Sequence, residues 1–214
     1  MSGRLKDYGF ESEMYDHTIV QVVRDVSRQL GFESNIVQVL WMDWEARFGR
    51  MDSDECNFHG QAVLLPKRMR GALDPEEWKP IIASRLIYRR RLRRSQPWGK
   101  GLDILLGPLL VIIGGAILYR LFGPEGIGIA SLIYFVLVVG PILANLFTQA
   151  HKKLRLQADL EATRPVGKET FLLVLRKIDG LRLKDIETTK ERRVTRHLSS
   201  KPSISERIEN LSRL

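Results

Sequence analysis

The sequence predicts an α+β membrane protein that is mostly helical, with a small N-terminal sheet and a two-helix transmembrane hairpin. Two long apolar runs, 104–122 and 127–147, lie close together in the middle of the 214-residue chain. Strand-like runs precede this pair, and helical patterns lie on both sides of it. The chain is therefore divided into an N-terminal soluble part (1–100), the hairpin (102–149) and a C-terminal helical part (150–214) that packs with the N-terminal part.

The N-terminal part begins with a helix and continues into a sheet. Residues 16–30 carry apolar side chains at helical spacing, and Gly31 can close that helix. Three short apolar runs then have the length and composition of strands. They are Asn35–Trp41, Trp44–Phe48 and Phe58–Leu65.

A second helix is predicted from Pro75 to about Arg94. Asp74 is a favourable N-cap, Pro75 suits the first helical position and Glu77 completes a capping box. Pro80 lies inside this helix and lacks a backbone donor, which predicts a bend.

The two apolar runs form the predicted hairpin. At about 1.5 Å per residue, each can cross a hydrocarbon core of roughly 30 Å. The turn at 123–126 is so short that the two spans must be antiparallel. Basic residues flank both outer ends, so the positive-inside rule predicts an integral membrane protein with both termini in the cytoplasm, or on the matrix side of an organelle.

The formal net charge is +9, and basic residues concentrate beside the hairpin. Such a cluster sets membrane topology and binds anionic lipid headgroups. The residues predicted to contact anionic lipid are Arg89, Arg90, Arg91, Arg93, Arg94, Lys100, Lys152 and Lys153. Nucleic-acid binding is the alternative for the run 89–100, but no RNA- or DNA-binding motif accompanies it, so no nucleic-acid partner is expected.

Three segments carry a family resemblance. They read LDPEEWKPIIASRLIYRR (73–90), LRLQADLEA (154–162) and KPSISERIENL (201–211). Their order around a hairpin resembles the HtpX-like and CAAX-prenyl-endopeptidase type of membrane zinc metallopeptidase, over roughly 18–211. That family has a helix with H-E-x-x-H, a pair of spans, a helix with E-x-x-A-D and a motif like H-P-x-x-x-E-R-I. The resemblance implies a metallopeptidase-like soluble part.

The resemblance also implies that the family's chemistry is lost here. Two histidines and a distal glutamate hold zinc in that family, and a glutamate between the histidines is the general base. The two histidine positions hold Ser84 and Tyr88, the base position holds Arg85 and the third-ligand position holds Arg155. A guanidinium is always charged and cannot coordinate a metal. We therefore expect no catalytic residue, no metal and no cofactor.

Asp159 lies one helical turn after Arg155. We hypothesise that Asp159 forms an ion pair with Arg155 or Arg85 in the space that the metal occupies in the family. Two cations in a partly buried pocket need compensation. The alternative is an ordinary exposed i,i+4 pair between Arg155 and Asp159.

The resulting functional prediction is a catalytically inactive, metallopeptidase-like accessory or structural subunit of a complex with other membrane protein subunits. One alternative is a pseudoprotease adaptor that binds peptides by strand addition without cleaving them. Another is an active membrane peptidase that uses an unfamiliar site.

Overall fold

The computed structural model describes residues 3–42, 51–92, 109, 112–117, 119–120, 123, 133–191 and 201–213. Helix α1 spans Gly3–Gln29 and begins earlier than the pattern of 16–30 predicts. Its predicted apolar face is confirmed, because Ile19, Val23 and Val26 are fully buried. Gly31 ends this helical segment in the left-handed region, at a φ of 72°, as the sequence predicts.

Three strands form one sheet in the order β1-β3-β2: β1 Gln38–Met42, β2 Asn57–His59 and β3 Ala62–Pro66. Strand β1 runs parallel to β3, and β2 runs antiparallel to it with Phe58 opposite Val63. The single strand predicted over 58–65 is wrong. Gly60 has a φ of 55°, and it turns the chain into a hairpin there. The strand predicted at Trp44–Phe48 lies outside the described residues.

The predicted capping box at Asp74 and Glu77 is confirmed, since the Asp74 N–H donates to Glu77 Oε2 at 2.7 Å. The helix that follows has three parts. A 3-10 turn spans Pro75–Trp78, helix α2 spans Lys79–Ile87 and a π-helical turn spans Tyr88–Leu92. Pro80 lies in the first turn of α2, where its missing N–H leaves no helical hydrogen bond unmade.

The remaining elements are helical. A π-helical turn spans Phe135–Val139, and four helices follow: α3 Gly140–Val166, α4 Lys168–Gly180, α5 Lys184–Glu191 and α6 Ile204–Ser212. Ser203 caps α6 through a capping box with Glu206.

The prediction of a two-span transmembrane hairpin requires correction. Among the described residues, no helix combines the length and the apolar character needed to cross a membrane. The second predicted span does not end near Phe147, because its last residues belong to the 27-residue helix α3. That helix runs on into the charged segment 151–155. About half of the first predicted span lies outside the described residues. The described part of the chain is mostly helical with a small three-stranded sheet. The prediction that the chain is an integral membrane protein with two spans is likewise not supported by the described helices.

One hydrophobic core joins the segments before and after residue 100. Buried side chains from α1, β3, α2, α3, α4 and α6 contact one another in it, among them Val23, Leu65, Ile82, Phe171 and Leu211. Helix α2 packs along α3, and α6 packs against both α3 and α4. This arrangement brings three chain segments that are far apart in sequence to one side of α2.

Candidate functional site

A small cavity lies between α2, α3, the segment before β2 and the N-terminal end of α6. Its lining residues are Asp54, Glu55, Cys56, Ile81, Ser84, Arg85, Tyr88, Arg155, Asp159, Pro202 and Arg207. The cavity volume is about 40 Å³, which is room for about three water molecules. The cavity can therefore accept a small group but not a peptide.

The structure brings all five sequence-predicted site residues to this cavity. Ser84, Arg85 and Tyr88 lie within one helical turn at the end of α2, and Arg155 and Asp159 are four residues apart on α3. Residues four apart on a helix share a face, so two facing helices supply the five side chains together.

The inner side of the cavity is a buried ion cluster, which we call the inner cluster: Asp54, Ser84, Asp159 and Arg207. Arg207 binds the Asp159 carboxylate with two donors, at 2.8 Å from Nε and 2.9 Å from Nη2. Its Nη1 donates to Asp54 Oδ2 at 2.8 Å. The Ser84 hydroxyl donates to Asp159 Oδ1 at 2.5 Å. Two-donor pairing of a guanidinium with a carboxylate fixes both side chains.

Burial and charge pairing act together on Asp54 and Arg207 in the inner cluster. Asp159 is 1% exposed and Arg207 is 6% exposed. Burial raises the pKa of Asp54 above its ordinary value, although Arg207 opposes that shift. Burial alone would lower the pKa of Arg207, but the carboxylates of Asp159 and Asp54 outweigh it and raise the pKa. Arg207 therefore stays charged between its two partners.

The outer side of the cavity is a second group, which we call the outer cluster: Glu55, Arg85, Tyr88, Arg155 and Lys201. Arg155 forms an ion pair with Glu55, and Lys201 reaches the same carboxylate at 2.9 Å. Burial would raise the pKa of Glu55, but Arg155, Lys201 and Arg85 lower it to about 2. Glu55 is therefore held ionised by several cations.

Tyr88 contacts two guanidiniums of the outer cluster. The Cζ atoms of Arg85 and Arg155 lie 5.5 and 5.1 Å from its ring centroid, within the range of cation–π attraction. Its hydroxyl lies 3.2 Å from His151 Nδ1. Arg85 Nη2 also donates to Asn57 Oδ1 at 3.3 Å.

The partner predicted for Asp159 differs from the one in the structure. Asp159 pairs with Arg207 instead of Arg85 or Arg155, and Arg155 pairs with Glu55. Arg207 stands in the E-R-I motif of the third resembling segment, which is the signal that could have identified it. Asp54 and Glu55 precede β2 without any motif, so the sequence offered no comparable signal for them.

The described side chains were compared with the requirements of a metal site. Within the described residues, no three or more His, Cys, Asp or Glu side chains are arranged to hold a metal ion. Cys56 and His59 form a C-x-x-H pair in the sequence, but Cys56 lies in the core and His59 at the surface. Burial raises the pKa of the Cys56 thiol to about 12, so this group is neither a thiolate ligand nor a nucleophile at neutral pH.

Two of the residues predicted to contact anionic lipid make bonds within the protein. Lys152 is 9% exposed and donates to Glu206 Oε1 at 2.7 Å. Arg89 donates to the Phe58 carbonyl at 2.6 Å. Lys152 is therefore engaged by Glu206 within the protein, and anionic-lipid contact stays a prediction for these residues. Arg90 and Lys153 are exposed, and 93–100 lie outside the described residues.

Comparison with known proteins finds no matching family model, no matching curated protein and no matching solved structure. The resemblance to zinc metallopeptidases therefore depends on the three sequence segments alone.

Proposed function

We propose that this chain is a degenerate relative of the HtpX-like and CAAX-prenyl-endopeptidase type of zinc metallopeptidase that acts as a non-catalytic accessory subunit of a protein complex. One observation carries the proposal. The four positions that correspond to the family's ligands and base converge on one cavity, and they hold Ser84, Arg85, Tyr88 and Arg155. Such convergence is expected if the chain keeps the arrangement of that fold after losing its metal-binding residues.

The chemistry of these side chains supports the loss of catalysis. Guanidiniums cannot coordinate a metal, and each would repel a dication. The Ser84 hydroxyl is bonded to Asp159, whose oxygens are also held by Arg207. A serine nucleophile needs a base that is free to accept its proton. The Asp159 carboxylate is instead committed to an ion pair.

The adaptor alternative is less well supported by the sheet. Strand β2 is an edge strand beside the cavity, where strand addition of a peptide would begin. At Phe58, the backbone N–H donates to Asn57 Oδ1 at 3.0 Å, and the carbonyl accepts from Arg89 at 2.6 Å. Side chains thus occupy the backbone groups that an added strand would need, which favours the accessory role.

Two measurements test the proposal. The purified chain is incubated with a diverse peptide mixture, and new termini are sought by mass spectrometry, with Ser84→Ala as the matched variant. We expect no new termini from either protein. Peptide cleavage that disappears in Ser84→Ala would refute the inactive centre.

The accessory role is tested by native purification with quantitative mass spectrometry. We expect one or more partner chains at a fixed ratio through successive columns. A chain that elutes alone, at its own mass of 24.6 kDa, would refute this role without reviving catalysis.

A further inference from the structure

Two guanidiniums of the outer cluster, Arg85 and Arg155, lie beside the Tyr88 ring. Glu55 is shared between Arg155 and Lys201. Arg85 lines the same cavity as Glu55 and helps to lower the pKa of that carboxyl, but no ion pair joins Arg85 to a carboxylate among the described residues. A guanidinium beside a partly enclosed cavity, without an acidic partner, attracts anions.

The donors of Arg85 and Arg155 are only partly used. Among the described residues, Arg85 makes one hydrogen bond, from Nη2 to the neutral Asn57 side chain. The Nε–H groups of Arg85 and Arg155 are both buried, and neither has a hydrogen-bond partner in the described part of the chain. Buried donors in proteins are nearly always paired. Both donors belong to residues that line one cavity, and they are the observation from which a ligand is inferred.

We propose that the outer cluster binds a small oxyanion, a carboxylate or phosphate group, through Arg85 and Arg155 above the Tyr88 ring. This inference goes beyond the accessory role, since it holds whether or not the chain has a metallopeptidase ancestor.

Size and charge favour this class of ligand. A cavity volume of about 40 Å³ matches a group the size of a few water molecules. Planar guanidiniums present paired donors that match the oxygens of a carboxylate or phosphate. A metal cation would be repelled by the guanidiniums, and an apolar group would leave the two Nε–H donors unpaired.

The inner cluster does not compete for this ligand. Asp159 and Asp54 are already bound by Arg207, so Arg207 compensates part of their negative charge. Glu55 is the one acid of the outer cluster, and Arg155 and Lys201 compensate it.

Isothermal titration with inorganic phosphate, and separately with acetate, tests the site at constant pH and ionic strength. We expect saturable binding of at least one anion, and the tighter one identifies the ligand chemistry. Arg85→Gln should weaken binding by about tenfold or more, as the loss of a charge-assisted hydrogen bond predicts. Arg28→Gln is the matched control, because Arg28 is 82% exposed, and it should bind as the wild type does.

A second measurement uses the unmodified chain and so does not depend on the folding of a variant. The Nε–H signals of Arg85 and Arg155 are assigned by nuclear magnetic resonance and followed during phosphate and acetate titrations. We expect both signals to shift along one saturable curve. Unchanged signals with both anions, or equal affinity of Arg85→Gln and the wild type, would overturn the proposal.

Discussion

Arg207 and Arg85 line the same cavity in different surroundings. Arg207 is buried and binds two carboxylates, Asp159 and Asp54, with three of its nitrogens. Arg85 is only partly buried, and its one hydrogen bond goes to an uncharged amide. In the inner cluster, the guanidinium and both carboxylates are therefore paired with one another, whereas in the outer cluster the Nε–H groups of Arg85 and Arg155 have no hydrogen-bond partner among the described residues.

This difference separates a structural role from a binding role. Burying an ion pair is tolerated when geometry and hydrogen bonds compensate the lost hydration, and breaking it leaves an unpaired buried charge. The inner cluster meets that condition and ties α3 to α6 and to the segment before β2. In the outer cluster, the charges are shared and partly hydrated, so changes there should affect ligand binding and pH response more than folding.

The largest effect is expected from Arg207→Met. Asp159 and Asp54 would then remain buried without a cation, which should lower the free energy of unfolding by about 3–5 kcal/mol. Urea denaturation followed by circular dichroism measures this change. Arg213→Met is the matched control. Arg213 lies just after the end of α6 and pairs with Glu209, but its side chain is 77% exposed. The control should lose less than about 0.5 kcal/mol, and equal losses would contradict the closed inner cluster.

Asp159→Ala should have the next largest effect. It removes the acceptor of Ser84 and of two Arg207 donors, while Asp54 still pairs with Arg207. Loss of about 2–3 kcal/mol corresponds to a melting temperature lower by roughly 5–10 °C. Differential scanning calorimetry gives the comparison with Asp25→Ala, an exposed carboxylate. An unchanged melting temperature would end the claim that Asp159 stabilises the fold.

An effect of up to about 3 kcal/mol is expected from Glu55 and depends on pH. The folded pKa of Glu55 is about 2, below its unfolded value of about 4.3. Ionised Glu55 therefore stabilises the fold above about pH 4.5, and this contribution is lost as the pH falls toward 2. The stability difference between wild type and Glu55→Gln should shrink over this window in urea denaturation. A constant difference would show that the outer cations do not act on Glu55.

The smallest effect is expected from Tyr88→Phe. This change removes the hydroxyl that contacts His151 but keeps the ring beside both guanidiniums. The expected loss is about 0.5–1 kcal/mol, measured by urea denaturation. Tyr88→Leu removes the ring as well and should lose more. Equal losses for the two variants would show that the ring contacts contribute nothing.

Features set by local spacing could be predicted from the sequence. The buried face of α1, the Asp74–Glu77 capping box and the grouping of Ser84, Arg85 and Tyr88 on α2 all follow from neighbours within one or two turns. The turn at Gly60 is not evident from the sequence, because residues 58–65 read as one continuous strand. The glycine was the only backbone signal for the turn.

Features set by tertiary packing were harder to predict. Asp159 has three nearby arginines in the folded chain, and the choice of Arg207 over Arg155 depends on how α6 docks against α3. The prediction of a transmembrane hairpin was wrong for a related reason. Hydropathy identifies apolar residues between 127 and 147 but not where their helix ends, and α3 carries them on into a charged segment that packs in the core.

The most direct test of the central claim, that charge pairing and not a metal holds this cavity together, is the free energy of unfolding measured with and without zinc. We expect the same value in excess Zn²⁺ and in chelator, because the positions that resemble the ligand and base positions of zinc metallopeptidases hold Ser84, Arg85, Tyr88 and Arg155. A folded-state metal site would add about 2.7 kcal/mol at one hundred times its Kd. A gain of that size, abolished by a change at Asp159 or Glu55, would contradict the account.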